Sequence, residues 1–259
     1  MKIGIFYKED NKDIAERIKE EAFKKGLQFD DRIPNVVFSV GGDGTFLRAV
    51  HKYIDQLDSI KFIGINSGSL GFFYDFCEEA IPQILDLLLK DECVIHEHAL
   101  LKGIANYKNS SEEMFALNEI RIENPFHTLI SEVLINGDTL ETFRGNGLIV
   151  SSALGSSAYN KSLGGTLIDP DIDAMELTEV AGISNNVYRS LGSSLVVKGD
   201  KKITFAGQVG KAVVGYDHLG IYKDDELLSL EVCYSNRKAK IVYSKDHSYI
   251  QRIRKSFVL

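Results

Sequence analysis

The strongest constraint on this chain is a run of five residues, Gly41-Gly42-Asp43-Gly44-Thr45. An apolar run, Val36 to Val40, leads straight into it, and Phe46, Leu47, Ala49 and Val50 follow at helical spacing. The arrangement reads as strand, glycine loop, helix, and it recurs. Ile3 to Tyr7 precedes a helical pattern over Lys12 to Lys25, closed by Gly26 as a C-terminal cap. Phe62 to Ile65 runs into Asn66-Ser67-Gly68-Ser69-Leu70-Gly71, then a helix marked by Ile81, Ile84, Leu85 and Leu88, with Pro82 in its first turn. Repeated strand-loop-helix units predict an α/β domain on a parallel sheet, with the ligand crevice beyond the C-terminal strand ends. Both glycine-rich loops fall at such ends.

Near His96 the rhythm changes. Short strand-like runs follow at Leu100–Ala105, Phe115–Ile122, Thr128–Ile135, Thr139–Phe143 and Leu148–Val150. Later ones are Leu195–Val197, Ile203–Ala206, Val213–Tyr216 and Leu230–Tyr234. Asn136-Gly137 between two of them is a hairpin signal, because both residues tolerate positive φ. The expected architecture is an α/β nucleotide-binding domain over residues 1–95 and a β-rich sandwich domain over 96–240. The C-terminal segment, 241–259, is expected to return to the first domain, its basic stretch Ser248 to Lys255 as a helix. A helix is also expected near Ala174 to Ala181.

With 259 residues, 44% of them hydrophobic, the chain is long enough to bury a core without staples. Its net charge of -7 gives no general pull toward nucleic acid or an anionic membrane. A phosphate-bearing ligand must then be held locally, by backbone N–H groups and a few placed cations. Cys77, Cys93 and Cys233 are odd in number and far apart, so a disulfide framework or zinc site is not expected; each reads as a small buried hydrophobe. Lys8-Glu9-Asp10 ends the first apolar stretch too early for a signal peptide, and no run approaches the ~18 apolar residues of a membrane helix. A cytoplasmic protein is expected.

In the first loop the glycines let the backbone approach a ligand and aim N–H groups at anionic oxygens. An acid there fits if Asp43 meets a hydroxyl or a metal ion rather than a phosphate. The competing reading is a tight turn with Asp43 as a helix cap. Asn118-Glu119 lies inside the apolar run Ala116 to Ile120, and reads either as a ligand-binding pair or as a solvated pair on a strand edge. The segment from Arg144 to Gly165 joins small residues with Ser157, Tyr159, Asn160 and Ser162 as hydrogen-bonding groups and Lys161 as a mobile charge.

Gly41-Gly42-Asp43-Gly44-Thr45 resembles the nucleotide-kinase signature shared by NAD kinases, diacylglycerol-type lipid kinases and, loosely, phosphofructokinases. Asn118-Glu119 and the Arg144–Gly165 segment narrow that resemblance to the NAD kinases. It implies an enzyme that moves a phosphoryl group from ATP, or in some members polyphosphate, to the adenosine-ribose 2′-hydroxyl of NAD. Asp43 is implied as the catalytic residue that accepts or orients the hydroxyl proton, with a divalent cation, Mg²⁺ by preference, bridging donor phosphates. Implied substrate contacts are Gly44, Phe72 at the nicotinamide end, Asn118, Glu119, Arg144, Asn146, Ser157, Ala158, Tyr159, Asn160, Lys161 and Ser162. Ala181, Tyr188 beside the adenine, and Asp217 and His218 of the Val214–His218 segment complete the set. A homo-oligomer, dimer or tetramer, with shared active sites is implied as well. The chain departs from the family at Gly145-Asn146-Gly147, where the family has an aspartate, and at Ser152-Ala153-Leu154, where it has a proline. The first change bears on selectivity between NAD and NADH. A lipid kinase and a non-catalytic dinucleotide sensor are the rival readings; the charge and the Arg144–Gly165 segment speak against the first, and Asp43 against the second.

Overall fold

The computed structural model describes residues 1–68 and 71–259; Ser69 and Leu70 of the second glycine loop lie outside the described residues. The chain divides into two compact units. Unit 1 holds Met1–His98 with Arg237–Leu259, and unit 2 holds Ala99–Asn236.

Unit 1 opens with β1 (Lys2–Tyr7), α1 (Lys12–Lys24) and the two-residue β2 (Gln28–Phe29). Next come β3 (Val36–Gly41), α2 (Asp43–Lys52), β4 (Lys61–Asn66) and α3 (Ile81–Leu89). Strand β1 pairs in parallel with β2 and β3, and β3 with β4. Every residue of β3 is buried, Ser39 among them, as suits a central parallel strand. Helix α1 buries Ala15, Ile18 and Ala22, and Gly26 closes it with φ +74°. Helix α3 buries Ile81, Ile84, Leu85 and Leu88 from one face. These side chains share one core with Ile3, Ile5, Phe38 and Ile63.

Strand β5 (Val94–Tyr107) carries the chain into unit 2. There follow β6 (Ser111–Ala116), β7 (Glu119–Glu123), β8 (Leu129–Ile135), β9 (Asp138–Gly145) and β10 (Gly147–Ser152). After α4 (Tyr159–Ser162) come β11 (Ala174–Val180), β12 (Leu195–Lys198), β13 (Ile203–Ala206), β14 (Val213–Tyr216) and β15 (Leu219–Ile221). The long β16 (Leu227–Tyr243) returns to unit 1, where Lys240 to Val242 pair in parallel with Lys61 to Ile63 of β4. Last is α5 (Tyr249–Ile253), continued by a π turn over Arg254–Val258.

One antiparallel sheet of unit 2 runs β12-β11-β10-β7-β14-β15. In the other, β13 lies between β8 and the first half of β16, and β8 pairs with β9. Phe143, Val133 and Phe205 of one sheet and Ile120, Val150 and Leu177 of the other share a single core, so the unit is a sandwich. Asn136 (φ 52°) and Gly137 (φ 91°) form the tight turn between β8 and β9.

Three local expectations are corrected. Residues Ala174 to Val180 are a strand, not a helix. Met175 and Leu177 face the core, while Glu176 and Thr178 are buried on the opposite side in a polar cluster, so the alternation is hidden. The run from Phe115 to Ile122 is two strands: Leu117 and Asn118 give their N–H groups to the Asp217 carboxylate (2.9 and 2.8 Å) instead of a partner strand. Cys77 is exposed and Cys93 and Cys233 only half-buried, so none of the three is a fully buried hydrophobe. Among the described residues no helix is long and apolar enough to cross a membrane.

Candidate active site

The backbone extends at Gly42 (φ -114°, ψ 174°) and turns at Asp43 into α2. Asp43 does not cap that helix. Its Oδ2 accepts the Phe72 N–H at 3.0 Å and its Oδ1 the Phe73 N–H at 3.2 Å. The carboxylate thus reaches across to the loop after β4, and two peptide groups fix its plane. A Cβ on Gly71 would fall 2.6 Å from Asp43 Oδ1, so that neighbour has to be glycine. The Tyr74 hydroxyl donates to Gly42 O at 2.8 Å and holds the glycine loop from the same side. Burial pushes the Asp43 carboxyl above the ordinary carboxylate range; the Phe72 and Phe73 N–H groups and the Arg252 charge pull the other way. Thr45 Oγ1, buried under the loop, makes no hydrogen bond. Gly44 is exposed, with its carbonyl held by Arg48 Nε at 3.0 Å.

Unit 2 gathers a second set. Asn118 and Glu119 are 7% and 4% exposed, so the solvated strand-edge reading fails. Asp217, left-handed at φ 45°, holds the break between β6 and β7 open with its carboxylate. Gly155 packs so closely beneath that a Cβ would lie 2.1 Å from Asn118 O. Glu119 stands 3.4 Å from Arg121 Nη1, and its Oε2 is buried without a partner. Burial, then the charge of Asp217, raises its carboxyl to about 8. Arg121 also binds Glu123 at 3.1 Å and Asp217 O at 3.1 Å, and its guanidinium lies over the Tyr159 ring at 5.8 Å. The Tyr159 hydroxyl reaches Glu123 at 3.4 Å. The fold therefore brings Asn118, Glu119, Tyr159 and Asp217 together, and Arg121 and Glu123 join them.

The rest of the glycine- and serine-rich segment divides. Asn160 is fully buried, its Nδ2 donating to Glu176 at 2.7 Å and its Oδ1 accepting from Thr178 at 2.7 Å, so both ends of the amide are engaged inside the unit. Ser157 is buried with a long 3.5 Å bond to Leu154 O, Ala158 and Lys161 are half-buried, and Ser162 is exposed. Arg144 stacks its guanidinium over the Tyr188 ring at 4.3 Å, and Ala181 in the same unit is left-handed at φ 48°. Asn146 is exposed and its Nδ2 donates to Asn124 O at 3.3 Å, a bond a carboxylate cannot make. His218 sits exposed at the β14–β15 turn. Phe72 meets Phe257 of the tail, ring centroids 5.8 Å apart.

Sequence reasoning missed Arg121, Glu123, Glu176 and Arg252. Glu119, Arg121 and Glu123 alternate along one strand, and charges at a period of two inside an apolar run were a readable sign. Glu176 and Arg252 had no local sign, because their partners are far along the chain.

Models of the ATP-NAD kinase N-terminal and C-terminal domains match residues 4–93 and 117–244. NAD kinase 1 of Bacillus cereus is 36% identical over 263 residues, covering 100% of this chain and 99% of the relative. The NAD kinase of Leuconostoc mesenteroides is 34% identical over 261 residues, covering 100% and 98%. In fold the chain is similar to yeast NADH kinase, crystallised with NADH (TM-score 0.85, 17% identity, 99% of this chain and 87% of that one). It is likewise similar to an NAD kinase from Archaeoglobus fulgidus, crystallised with ATP (TM-score 0.79, 22% identity, 99% and 97%). With both domain models matched in order and relatives that align from end to end, the chain belongs to the NAD kinase family of phosphotransferases.

Proposed function

We propose that Asp43 is the proton acceptor in transfer of the terminal phosphoryl group of ATP to the adenosine-ribose 2′-hydroxyl of NAD. One observation carries this reading: the carboxylate has both oxygens oriented by backbone N–H groups, is not used as a helix cap, and is buried enough to favour taking up a proton. The hydroxyl proton passes to Asp43, the ribose oxygen bonds to phosphorus, and the bond to the β-phosphate oxygen breaks, releasing ADP and NADP. Phosphoryl transfer asks the protein for position and charge neutralisation more than for covalent chemistry. Asn118, Glu119 and Tyr159 donate to or accept from the dinucleotide; the unpartnered Glu119 Oε2 supports a ligand donor at that point. Arg144 and Tyr188 present a cation over an aromatic face, a platform suited to a base.

The family works with a divalent cation, and Mg²⁺ is our choice for this chain. Among the described residues no three His, Cys, Asp or Glu side chains gather as a cage. The donor set therefore fits a cation carried by the phosphates and water, as Mg²⁺ commonly is. The exposed Ile183, Val187, Tyr188 and Leu191 support a homo-oligomer, dimer or tetramer, with shared active sites. A cytoplasmic setting fits the composition and the unpaired thiols.

The test is NADP formation from NAD with ATP and Mg²⁺, with Asp43→Asn in parallel and with polyphosphate and NADH as alternative substrates. Asp43→Asn is expected to lower kcat on the order of 10²-fold or more. Near-normal turnover in that variant would defeat the assignment. Tight NAD binding with no turnover from any donor would make the chain a sensor.

A further inference from the structure

The C-terminal helix α5 buries a single residue, Arg252, which is 8% exposed. Its Nη1 donates to Gly71 O at 2.7 Å and to Phe72 O at 2.6 Å, and its Nη2 to Tyr74 O at 3.0 Å. Two of these carbonyls belong to the peptide groups whose other ends hold Asp43. Gly71 C=O shares its peptide plane with Phe72 N–H, and Phe72 C=O shares its plane with Phe73 N–H. Two consecutive peptide groups thus stand between a guanidinium on their oxygen ends and a carboxylate on their hydrogen ends. A cation on the carbonyl polarises the peptide and strengthens its N–H as a donor.

We propose that Arg252 is a positioning residue for the phosphoryl transfer: acting through the peptide groups 71–72 and 72–73, it fixes the place of the Asp43 carboxylate and its charge state. The inference rests on the reading of Asp43 as proton acceptor. Arg252 is itself anchored. Its guanidinium pairs with Asp75, whose Oδ2 also contacts His247 Nδ1 at 2.9 Å and accepts the Ser244 N–H at 3.0 Å. Burial pulls the guanidinium down to about 10, which leaves it charged at neutral pH. The groups that face this device are Tyr74 beside Asp43, and Asp75, His247, Asp246 and Lys255 around Arg252, lining a cavity of about 210 Å³, with the Tyr243 ring centroid 5.8 Å from the guanidinium. Phe257 on Phe72 gives the tail a second hold on the same loop.

Without the guanidinium, the two N–H groups lose polarisation and Asp43 loses its nearest opposite charge. Both losses favour its protonated form, so the acid limb of the rate profile moves to higher pH. The experiment measures kcat and KM for NAD as a function of pH in the full chain, its Arg252→Lys variant and its Arg252→Gln variant. Expected for Arg252→Gln are a kcat lower by about tenfold at neutral pH, an acid limb about one unit higher, and a KM for NAD within about twofold. Arg252→Lys should fall between, since an ammonium restores the charge and not the fork. Carboxylate titration of Asp43 by NMR in the substrate-free Lys variant reads the same link without turnover, and serves if the Gln variant does not fold. Unshifted acid limbs in both variants, or an Asp43 titration unmoved in the Lys variant, would overturn the proposal. A wild type that makes no NADP would instead sink the reading of the site, while the titration would still report on the link.

Discussion

Asp43 in unit 1 and Glu119 in unit 2 are both carboxylates held out of bulk water, and their surroundings are opposite. Asp43 has a backbone N–H on each oxygen and a guanidinium behind those peptides. Glu119 has Arg121 at the edge of contact, Asp217 and Glu123 as like charges, and one oxygen with no partner. The first is held in one orientation by two peptide N–H groups. The second is left with unmet hydrogen-bonding capacity, which a ligand donor can fill. Unsatisfied buried polar atoms are costly, and a ligand donor placed at this oxygen would remove the cost.

The largest effect is expected at Gly71. A methyl group there meets Asp43 Oδ1 at 2.6 Å, so Gly71→Ala is expected to lower kcat on the order of 10²-fold, by displacing the carboxylate from its two donors. Steady-state kinetics alongside a thermal melt checks it; unchanged kcat would show that the loop gives way freely.

Next in size is Asp217→Ala. It leaves the buried N–H groups of Leu117 and Asn118 unmatched and is expected to cost about 2–4 kcal/mol of stability, measured by urea unfolding. A loss confined to NAD affinity, with stability intact, would make Asp217 a ligand group rather than a backbone clamp.

Glu119→Gln sharpens the contrast through pH. The folded-state carboxyl is raised to about 8 from an ordinary 4.5. The folded protein therefore binds the extra proton, and stability from this group declines as pH rises through that window. The variant should match the wild type near the lower end and exceed it near the upper end, by up to about 3 kcal/mol. Parallel pH–stability curves for the two proteins would show that Glu119 ionises freely in the folded state.

Smallest is Asn146→Asp. It exchanges the Nδ2 donor to Asn124 O for a carboxylate at an exposed site, an expected loss below about 1 kcal/mol by thermal melt. The ratio of NAD to NADH turnover in the same variant tells whether the family's aspartate sets selectivity here.

The parallel sheet, the glycine loop and the hairpin at Asn136-Gly137 were legible because each is written in consecutive residues. Apolar runs dictate buried strands, and positive φ demands glycine or asparagine at the turn. The strand at Ala174–Val180 is hidden for the converse reason. Its Glu176 and Thr178 are buried against Asn160 and Thr166, residues well before the strand in sequence, so the expected polar-out face does not exist.

The sequence by itself determined the strand–loop–helix units, the β-rich unit after them, and the residue types offered for catalysis: a lone aspartate among glycines, an Asn-Glu pair, a small-residue segment with one lysine. Tertiary structure alone decided how those groups are held. Arg252 lies more than 170 residues from the loop it grips, and Asp217 about 100 from the N–H groups it holds. Local propensity acts over a few neighbours, whereas the hydrogen bonds and burial that set a carboxylate's charge act between groups that meet only once the chain has folded.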